Sequence, residues 1–224
     1  MLVVLALLAT DTLRADGPWR EKPIGDWDRS DVRKILFDSP WVKHFSRTRR
    51  ALEFEVPDQG PSGMELRGYH AKESKEDGAE TAEFYIRWVS SRTLREALAR
   101  RLVLLGSPHT ATMEVPKALD EFQVAIAGPD MSGFDKAREL TLKSKCYLWI
   151  SPKRKIPPSR VEFARSANGK VRSVLFRFPR TTVDGEPFIS THDTKAWFIE
   201  QGGDVEIRVG FNLKAMVDGN GPDL

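Results

Sequence analysis

The sequence contains a single cysteine and no apolar stretch of about 20 residues. One thiol excludes an intramolecular disulfide and a metal site built from several thiolates. Because no long apolar stretch is present, no transmembrane span is predicted. The cysteine, Cys146, begins a strand-like run, which favours a buried and inert thiol over a catalytic nucleophile.

Recognisable catalytic and cofactor motifs are also missing. The chain has no glycine-rich phosphate loop, no Gly-x-Ser-x-Gly or Ser-x-x-Lys motif and no His-Glu-x-x-His motif. Its four histidines are widely separated, so neither a metal site nor a cofactor is predicted. One pair has a chemical rationale: Asp193 could orient the imidazole of His192 for acid or base catalysis. The alternative is an exposed histidine beside a turn aspartate.

Residues 218–223, Asp-Gly-Asn-Gly-Pro-Asp, bear a faint likeness to a calcium-binding loop. The segment lacks the fuller series of oxygen ligands and the distal glutamate that such a loop uses. We therefore predict a polar turn here.

Residues 1–9 form a short apolar run that is followed by the small residue Ala15 and by Asp-Gly-Pro at 16–18. This order is typical of a secretory signal peptide, but no basic residue precedes the run. We predict cleavage after Ala15 and export of residues 16–224, as a single domain, to the periplasm or the cell exterior. The alternative is an N-terminal helix that docks on the core.

The formal net charge of +3 hides a strong separation of charge along the chain. Residues 143–180 contain eleven basic residues and one acidic residue, whereas residues 53–83 contain nine acidic and three basic residues. A local excess of this size attracts anions. The predicted anion-binding residues are Lys143, Lys145, Lys153, Arg154, Lys155, Arg160, Arg172 and Arg180.

Three kinds of partner for this basic region remain open. The acidic residues 53–83 would neutralise it within the chain, and anionic envelope lipid or polysaccharide would bind it from outside. Nucleic acid would contact it through phosphates. Nucleic acid is the least favoured of the three, because no recognition motif accompanies the charge and the N-terminus favours export.

The six tryptophans fall into two groups. Three lie in strand-like runs, which favours a place in the core over stacking against a sugar: Trp88, Trp149 and Trp197. The other three lie in the lead segment, residues 19–45, where they are expected to be exposed and available to a protein partner: Trp19, Trp27 and Trp41.

Residues 16–142 mix helix and strand patterns. Asp28 or Ser30 can cap a short helix in which Val32, Ile35 and Leu36 share one face.

Farther along, residues 51–56, 82–89 and 121–127 alternate as strands do, and the polar residues 57–81 predict a flexible loop. Residues 93–105 have a leucine-rich helical stripe, with Thr93 and Glu96 at the spacing of a capping box. Residues 134–142 predict a short helix or a loop.

The remaining residues, 143–224, read as a β-meander of six strands: 146–150, 160–165, 170–178, 186–190, 195–200 and 204–213. Asn-Gly at 168–169, Asp-Gly at 184–185 and Gly-Gly at 202–203 are strong signals for tight turns between antiparallel strands. The predicted fold is α+β, in which this meander forms a strongly curved sheet or a partly open barrel packed with one or two helices.

Several short blocks carry a resemblance to known proteins: Trp27, residues 31–36, 39–43, 147–153, 158–163, 178–180 and 221–224. Together they resemble a group of uncharacterised bacterial exported proteins. The resemblance implies export from a bacterial cell, and it brings no catalytic residue with it.

The sequence thus predicts an exported, non-catalytic protein that binds a ligand in the bacterial cell envelope or supports its structure. The basic strands at 143–180 are the expected contact with an anionic ligand. The alternative, from a different class, is an exported hydrolase with an unfamiliar active site around His192 and Asp193.

Overall fold

A computed structural model describes residues 17–48, 81–106, 119–204 and 206–224. Within these ranges the chain forms four α-helices: α1 (Pro18–Glu21), α2 (Arg29–Phe37), α3 (Arg92–Leu104) and α4 (Glu139–Lys145). Short 3₁₀ turns lie at Ile24–Asp26 and Ser132–Phe134. No helix in the described ranges has the length and apolar content needed to cross a bilayer.

The described strands form three antiparallel sheets. In chain order the strands are β1 (Val42–Thr48), β2 (Thr81–Trp88), β3 (Glu121–Ala127), β4 (Cys146–Ser151), β5 (Arg154–Ile156), β6 (Arg160–Arg165), β7 (Val171–Pro179), β8 (Lys195–Glu200), β9 (Ile207–Asn212), β10 (Val217–Asp218) and β11 (Gly221–Pro222). A five-stranded sheet has the order β1-β2-β3-β7-β6, and a four-stranded sheet has the order β5-β4-β8-β9. Strands β10 and β11 pair with each other.

The core lies between the inner faces of the two larger sheets. Alternation along each strand turns apolar side chains inward, as expected for sheets with one buried face. Phe176 of β7 meets Phe198 of β8 with ring centroids 5.3 Å apart, and Trp88 of β2 meets Phe211 of β9 at 5.2 Å. These four rings are almost completely buried, so the two sheets share one apolar core.

Helix α2 covers part of the outer face of the five-stranded sheet. The outward side chain of Arg87 donates a hydrogen bond from Nε to the carbonyl of Leu36 (3.0 Å), and Phe37 packs edge-on against Tyr85 at 5.2 Å. Helix α3 packs beside α2. Helices α2 and α3 therefore lie on the side of this sheet that faces away from the four-stranded sheet.

The prediction of an α+β fold with antiparallel sheets is confirmed. Residues Val32, Ile35 and Leu36 of α2 are buried as predicted, and Asp28 caps this helix by accepting from the backbone N–H groups of Ser30 and Asp31. Strands β3, β6 and β8 have the predicted bounds.

The prediction that the C-terminal strands form a single meander is wrong. Strands β6 and β7 pair with the N-terminal strand β3, whereas β4, β8 and β9 form the second sheet. Residues 186–190 form no strand and contribute one isolated bridge between Thr181 and Pro187. The described strands do not close into a barrel. The reason is that tight turns specify which strands are joined, while packing of the inner faces decides which sheet a hairpin enters.

Several other predictions have a different outcome or lie outside the described residues. Residues 42–48 form β1. This strand was not predicted, because the aromatic and basic residues of the segment give no clear strand pattern. The signal peptide, the strand at 51–56 and residues 57–80 of the predicted loop lie outside the described residues, and Thr81 begins β2.

Candidate functional site

The eight residues of the predicted anion site are spread over several elements. Lys143 and Lys145 end α4, Arg160 and Arg172 lie on strands of the five-stranded sheet, and Lys155 lies on β5 of the other sheet. Lys153 and Arg154 lie where β4 turns into β5, and Arg180 follows β7. The hairpin that carries Arg160 and Arg172 enters a different sheet from Lys155, so the eight residues do not all lie on one sheet. Their binding of an anion stays a prediction.

Arg154 is already paired within the protein. Its guanidinium donates to both carboxylate oxygens of Asp193, at 2.8 and 2.5 Å, and to the carbonyl of Phe188 at 3.1 Å. The backbone N–H and hydroxyl of Ser190 also donate to Asp193. The hydrogen bonds from Arg154, together with those from Ser190, lower the pKa of Asp193 to about 2.

These contacts bear on the pair proposed for catalysis. The carboxylate of Asp193 is held by Arg154 and Ser190, while the neighbouring His192 is exposed. Asp193 therefore stabilises the loop between β7 and β8, and no contact in the described residues supports its role as an orienting group for His192. The hydrolase interpretation stays a prediction.

Arg180 also has a structural role. It is partly buried, donates to the carbonyls of Leu119 (3.0 Å) and Leu224 (2.5 Å), and lies 4.4 Å from the ring centroid of Phe122. Burial lowers the pKa of Arg180, but its ordinary value is so high that the group stays charged. The residue ties the C-terminal residues to the five-stranded sheet.

Part of the basic hairpin is neutralised by carboxylates close to it. Arg177 pairs with Glu162 at 3.0 Å and with Glu121 at 3.6 Å, and Arg160 pairs with Glu162 at 3.1 Å. Of the acidic segment 53–83, the structure describes Glu83, which lies 3.9 Å from His44. The acids that neutralise these arginines therefore come from β3 and β6.

A different group of side chains gathers on the outer face of the four-stranded sheet. Lys155, Trp149, Trp197 and Gly210 form one row across all four strands, because each pairs with the next in register. Neighbouring outward positions carry Tyr147, Lys195 and Arg208. We call the six side chains the aromatic–basic face: Tyr147, Trp149, Lys155, Lys195, Trp197 and Arg208.

The cations of the aromatic–basic face lie against its rings. Lys195 Nζ lies 4.3 Å from the ring centroid of Trp197, and Arg208 Cζ lies 5.1 Å from the same ring and 5.9 Å from that of Trp149. Lys155 Nζ lies 5.0 Å from the ring of Tyr147. Cation–π contacts of this kind stabilise the position of each charge and leave its hydrogen-bonding groups able to bind an anion.

A glycine makes room for this arrangement. A Cβ atom at Gly210 would lie 2.7 Å from Lys195 Cε and 3.3 Å from the Trp197 ring. The missing side chain therefore lets Lys195 and Trp197 lie close to the backbone of β9.

Trp149 carries an unpaired hydrogen-bond donor. Its Nε1 is enclosed and has no hydrogen-bond partner among the described residues. Buried donors are nearly always paired, so this indole N–H is an unusual feature of the face.

For most of the tryptophans, the burial or exposure of the side chain differs from the prediction. Trp88 is fully buried as expected, but Trp149 and Trp197 lie half-buried on the aromatic–basic face. In the lead segment, Trp27 is 2% exposed and Trp41 is fully buried, so neither can contact a partner, while Trp19 packs edge-on against Trp41. Strict alternation is the signal that could have revealed the face, because Cys146 and Leu148 point inward and Trp149 therefore points outward.

The segment 218–223 contacts the start of α3. The Asp223 carboxylate accepts from the backbone N–H groups of Arg92 (2.6 Å) and Thr93 (2.9 Å), which begin α3. Asp218 pairs with the Arg92 side chain. In the described part of the chain no cluster of three or more His, Cys, Asp or Glu has the geometry to hold a metal ion.

Two ionisable side chains lie buried where β4 pairs with β8. Cys146 is buried, and burial raises the pKa of its thiol well above its usual value, which disfavours a nucleophilic thiolate. Its partner in register, Glu200, is also buried, and burial raises the pKa of this carboxyl to about 7.

Comparisons of the chain with protein-family models, with characterised proteins and with solved structures find no match. The functional conclusion therefore rests on the site itself.

Proposed function

We propose that this protein is an exported, non-catalytic binding protein of the bacterial cell envelope, and that it binds an anionic polysaccharide on the aromatic–basic face. The observation that carries the proposal is the placement of two cations, Lys195 and Arg208, against one half-buried aromatic ring, Trp197.

The charge of the face supports an anionic ligand. Its outward row and the neighbouring strand positions hold three cations, Lys155, Lys195 and Arg208. Three cations on one face attract carboxylate or sulfate groups, and a ligand that brings several such groups along a polymer gains from each contact.

The shape of the face favours a polymer of sugars over a bilayer or nucleic acid. The rings of Trp149 and Trp197 are half-buried in the sheet, so they do not project as membrane anchors do. Export, as predicted from residues 1–15, would bring the face to polysaccharides and keep it away from nucleic acid.

A direct test is titration with polygalacturonate, an acidic polysaccharide, followed by tryptophan fluorescence and calorimetry. We expect the Lys195→Gln/Arg208→Gln variant to bind more weakly by at least about tenfold for each cation removed, since a hydrogen bond to a charged group contributes roughly 1.5–3 kcal/mol. Binding of the native protein should weaken as salt increases.

The matched control is Lys143→Gln/Arg172→Gln, which removes two exposed cations from other elements and should bind normally. Trp197→Ala should lose the fluorescence response as well as affinity. Equal binding of neutral dextran, equal loss in the control, or stronger binding of single-stranded DNA would each contradict the proposal.

The mass of the mature chain from its natural host tests export, since a retained Met1 would rule out cleavage after Ala15.

A further inference from the structure

The exposed apolar side chains of the described residues are concentrated on one side of the protein. Six large apolar side chains are exposed in the described ranges, and four of them lie on α2 and α3 or directly after α3: Phe37, Leu98, Leu102 and Leu105. Single exposed apolar side chains are ordinary, but a cluster of this kind marks a surface that contacts something else.

The leucines form a stripe that leaves the core as α3 proceeds. Leu94, Leu98, Leu102 and Leu105 follow one another at spacings of three or four residues and thus share a helix face. Their exposed fractions are 0, 42, 47 and 65%, in that order. Leu94, at the beginning of the stripe, therefore packs in the core, whereas Leu105, at its end, is largely exposed to solvent.

Basic side chains surround these apolar groups. Helices α2 and α3 together contain seven Lys and Arg residues and two acidic residues, Asp31 and Glu96. Both acids are paired, Asp31 with Lys22 at 2.8 Å and Glu96 with Arg92 at 3.8 Å. The two helices together therefore carry a net positive charge, and three of their arginines line the cleft between them, Arg29, Arg33 and Arg101.

A shallow cleft of about 210 Å³ runs between the two helices. Its apolar floor includes Leu36 and Leu104, and its rim carries Arg29, Arg33 and Arg101. Exposed leucines combined with basic side chains on the same helices are typical of a helix that lies in the interface of a bilayer.

We propose that the α2–α3 surface binds the protein to a membrane that contains anionic lipid. The leucines project and would enter the boundary of the acyl chains, and Arg33 and Arg101 would pair with the lipid phosphates. A folded protein partner is less favoured because two of the exposed leucines, Leu98 and Leu102, do not line the cleft. Weak apolar insertion and electrostatic attraction together hold a peripheral protein on a membrane, whereas either contribution alone is marginal.

This surface lies on the opposite side of the core from the aromatic–basic face, since α2 packs on the outer face of the five-stranded sheet. A protein docked through α2 and α3 would therefore present the four-stranded sheet away from the membrane. Membrane binding and polysaccharide binding would not compete for the same residues.

The test is co-sedimentation with vesicles of phosphatidylcholine, with and without 30% phosphatidylglycerol. We expect binding to the anionic vesicles and little binding to the neutral ones. Leu102→Gln/Leu105→Gln should weaken binding at least tenfold. Arg33→Gln/Arg101→Gln should weaken it about 25-fold, because each arginine near an anionic surface contributes roughly fivefold in affinity.

Two variants serve as controls. Leu140→Gln removes an exposed leucine from α4 and should bind vesicles normally, and Lys195→Gln/Arg208→Gln should do the same although it loses polysaccharide binding. Equal affinity for neutral and anionic vesicles, no sedimentation with either, or an equal effect of the Leu140 variant would overturn the proposal. Binding of the soluble protein to a leucine-rich acidic peptide in place of vesicles would also overturn it and would identify the surface as a protein-binding site.

Discussion

The carboxylate of Glu200 lies inside the protein at the end of β8. Its Oε1 accepts from the backbone N–H groups of Gly202 (2.5 Å) and Gly203 (3.2 Å), while Oε2 is enclosed and has no partner among the described residues. Burial disfavours the charged form and raises the pKa to about 7, even though the two N–H donors oppose this shift.

This raised pKa predicts that the protein loses stability as the pH rises. In the unfolded chain the carboxyl has its usual pKa of 4.5, so the folded state binds the proton more tightly. The stabilisation is fully present below pH 4.5 and is lost as the pH passes through 7; a shift of this size corresponds to about 3 kcal/mol.

The Glu200→Gln variant should remove this component of the pH dependence, because glutamine resembles the neutral carboxyl. The measurement is the free energy of unfolding by urea between pH 5 and pH 8 for both proteins. If both proteins lose the same free energy over this range, Glu200 is not responsible.

Helix α3 is stabilised at its N-terminus by a residue from the far end of the chain. The Ser91 hydroxyl accepts from the N–H of Leu94 at 3.1 Å, and Asp223 accepts from the first two N–H groups of the helix. The capping box predicted from Thr93 and Glu96 is not the cap that forms. An external carboxylate satisfies the same unpaired N–H groups and interacts favourably with the helix dipole.

Asp223→Ala should therefore destabilise the protein by about 1–2 kcal/mol, the cost of losing a helix cap. The lost hydrogen bonds leave two N–H groups at the start of α3 without an acceptor. Urea unfolding and the thermal midpoint measure the change, with Asp120→Ala, an exposed carboxylate before β3, as the control. An equal loss in the two variants would show that the cap has no special role.

The two main sheets are held together by aromatic contacts across the whole molecule. Phe198 is fully buried and meets both Phe176 and Phe178, at 5.3 and 6.3 Å, from the opposite sheet. These contacts join the two sheets, and the contact of Trp88 with Phe211 joins residues from both halves of the sequence. The prediction of a single domain therefore has a direct test in the cooperativity of unfolding.

Phe198→Ala should cost about 3–5 kcal/mol, as expected for removing a buried aromatic ring, and should lower one common transition. Calorimetry and tryptophan fluorescence should report the same midpoint, since both sheets depend on this ring. Val183→Ala, at a fully exposed position, should leave the midpoint unchanged. Two separate transitions, of which Phe198→Ala affects one, would contradict the single domain.

The sequence by itself determined the features that depend on neighbouring residues. Alternation predicted β3, β6 and β8 with their bounds, and apolar spacing predicted the buried face of α2. These patterns are readable because a strand turns over every second residue and a helix returns to the same face after three or four residues.

Only the tertiary structure decided the features that depend on distant contacts. It assigned the β6–β7 hairpin to the N-terminal sheet, neutralised Arg154 through Asp193, and placed Trp149 and Trp197 on an outer face. A local pattern gives the two faces of a strand but does not say which face another sheet will cover. The aromatic–basic face forms because four strands bring their outward rings and cations together. This proximity depends on the order of the strands in the sheet, which a local pattern does not contain.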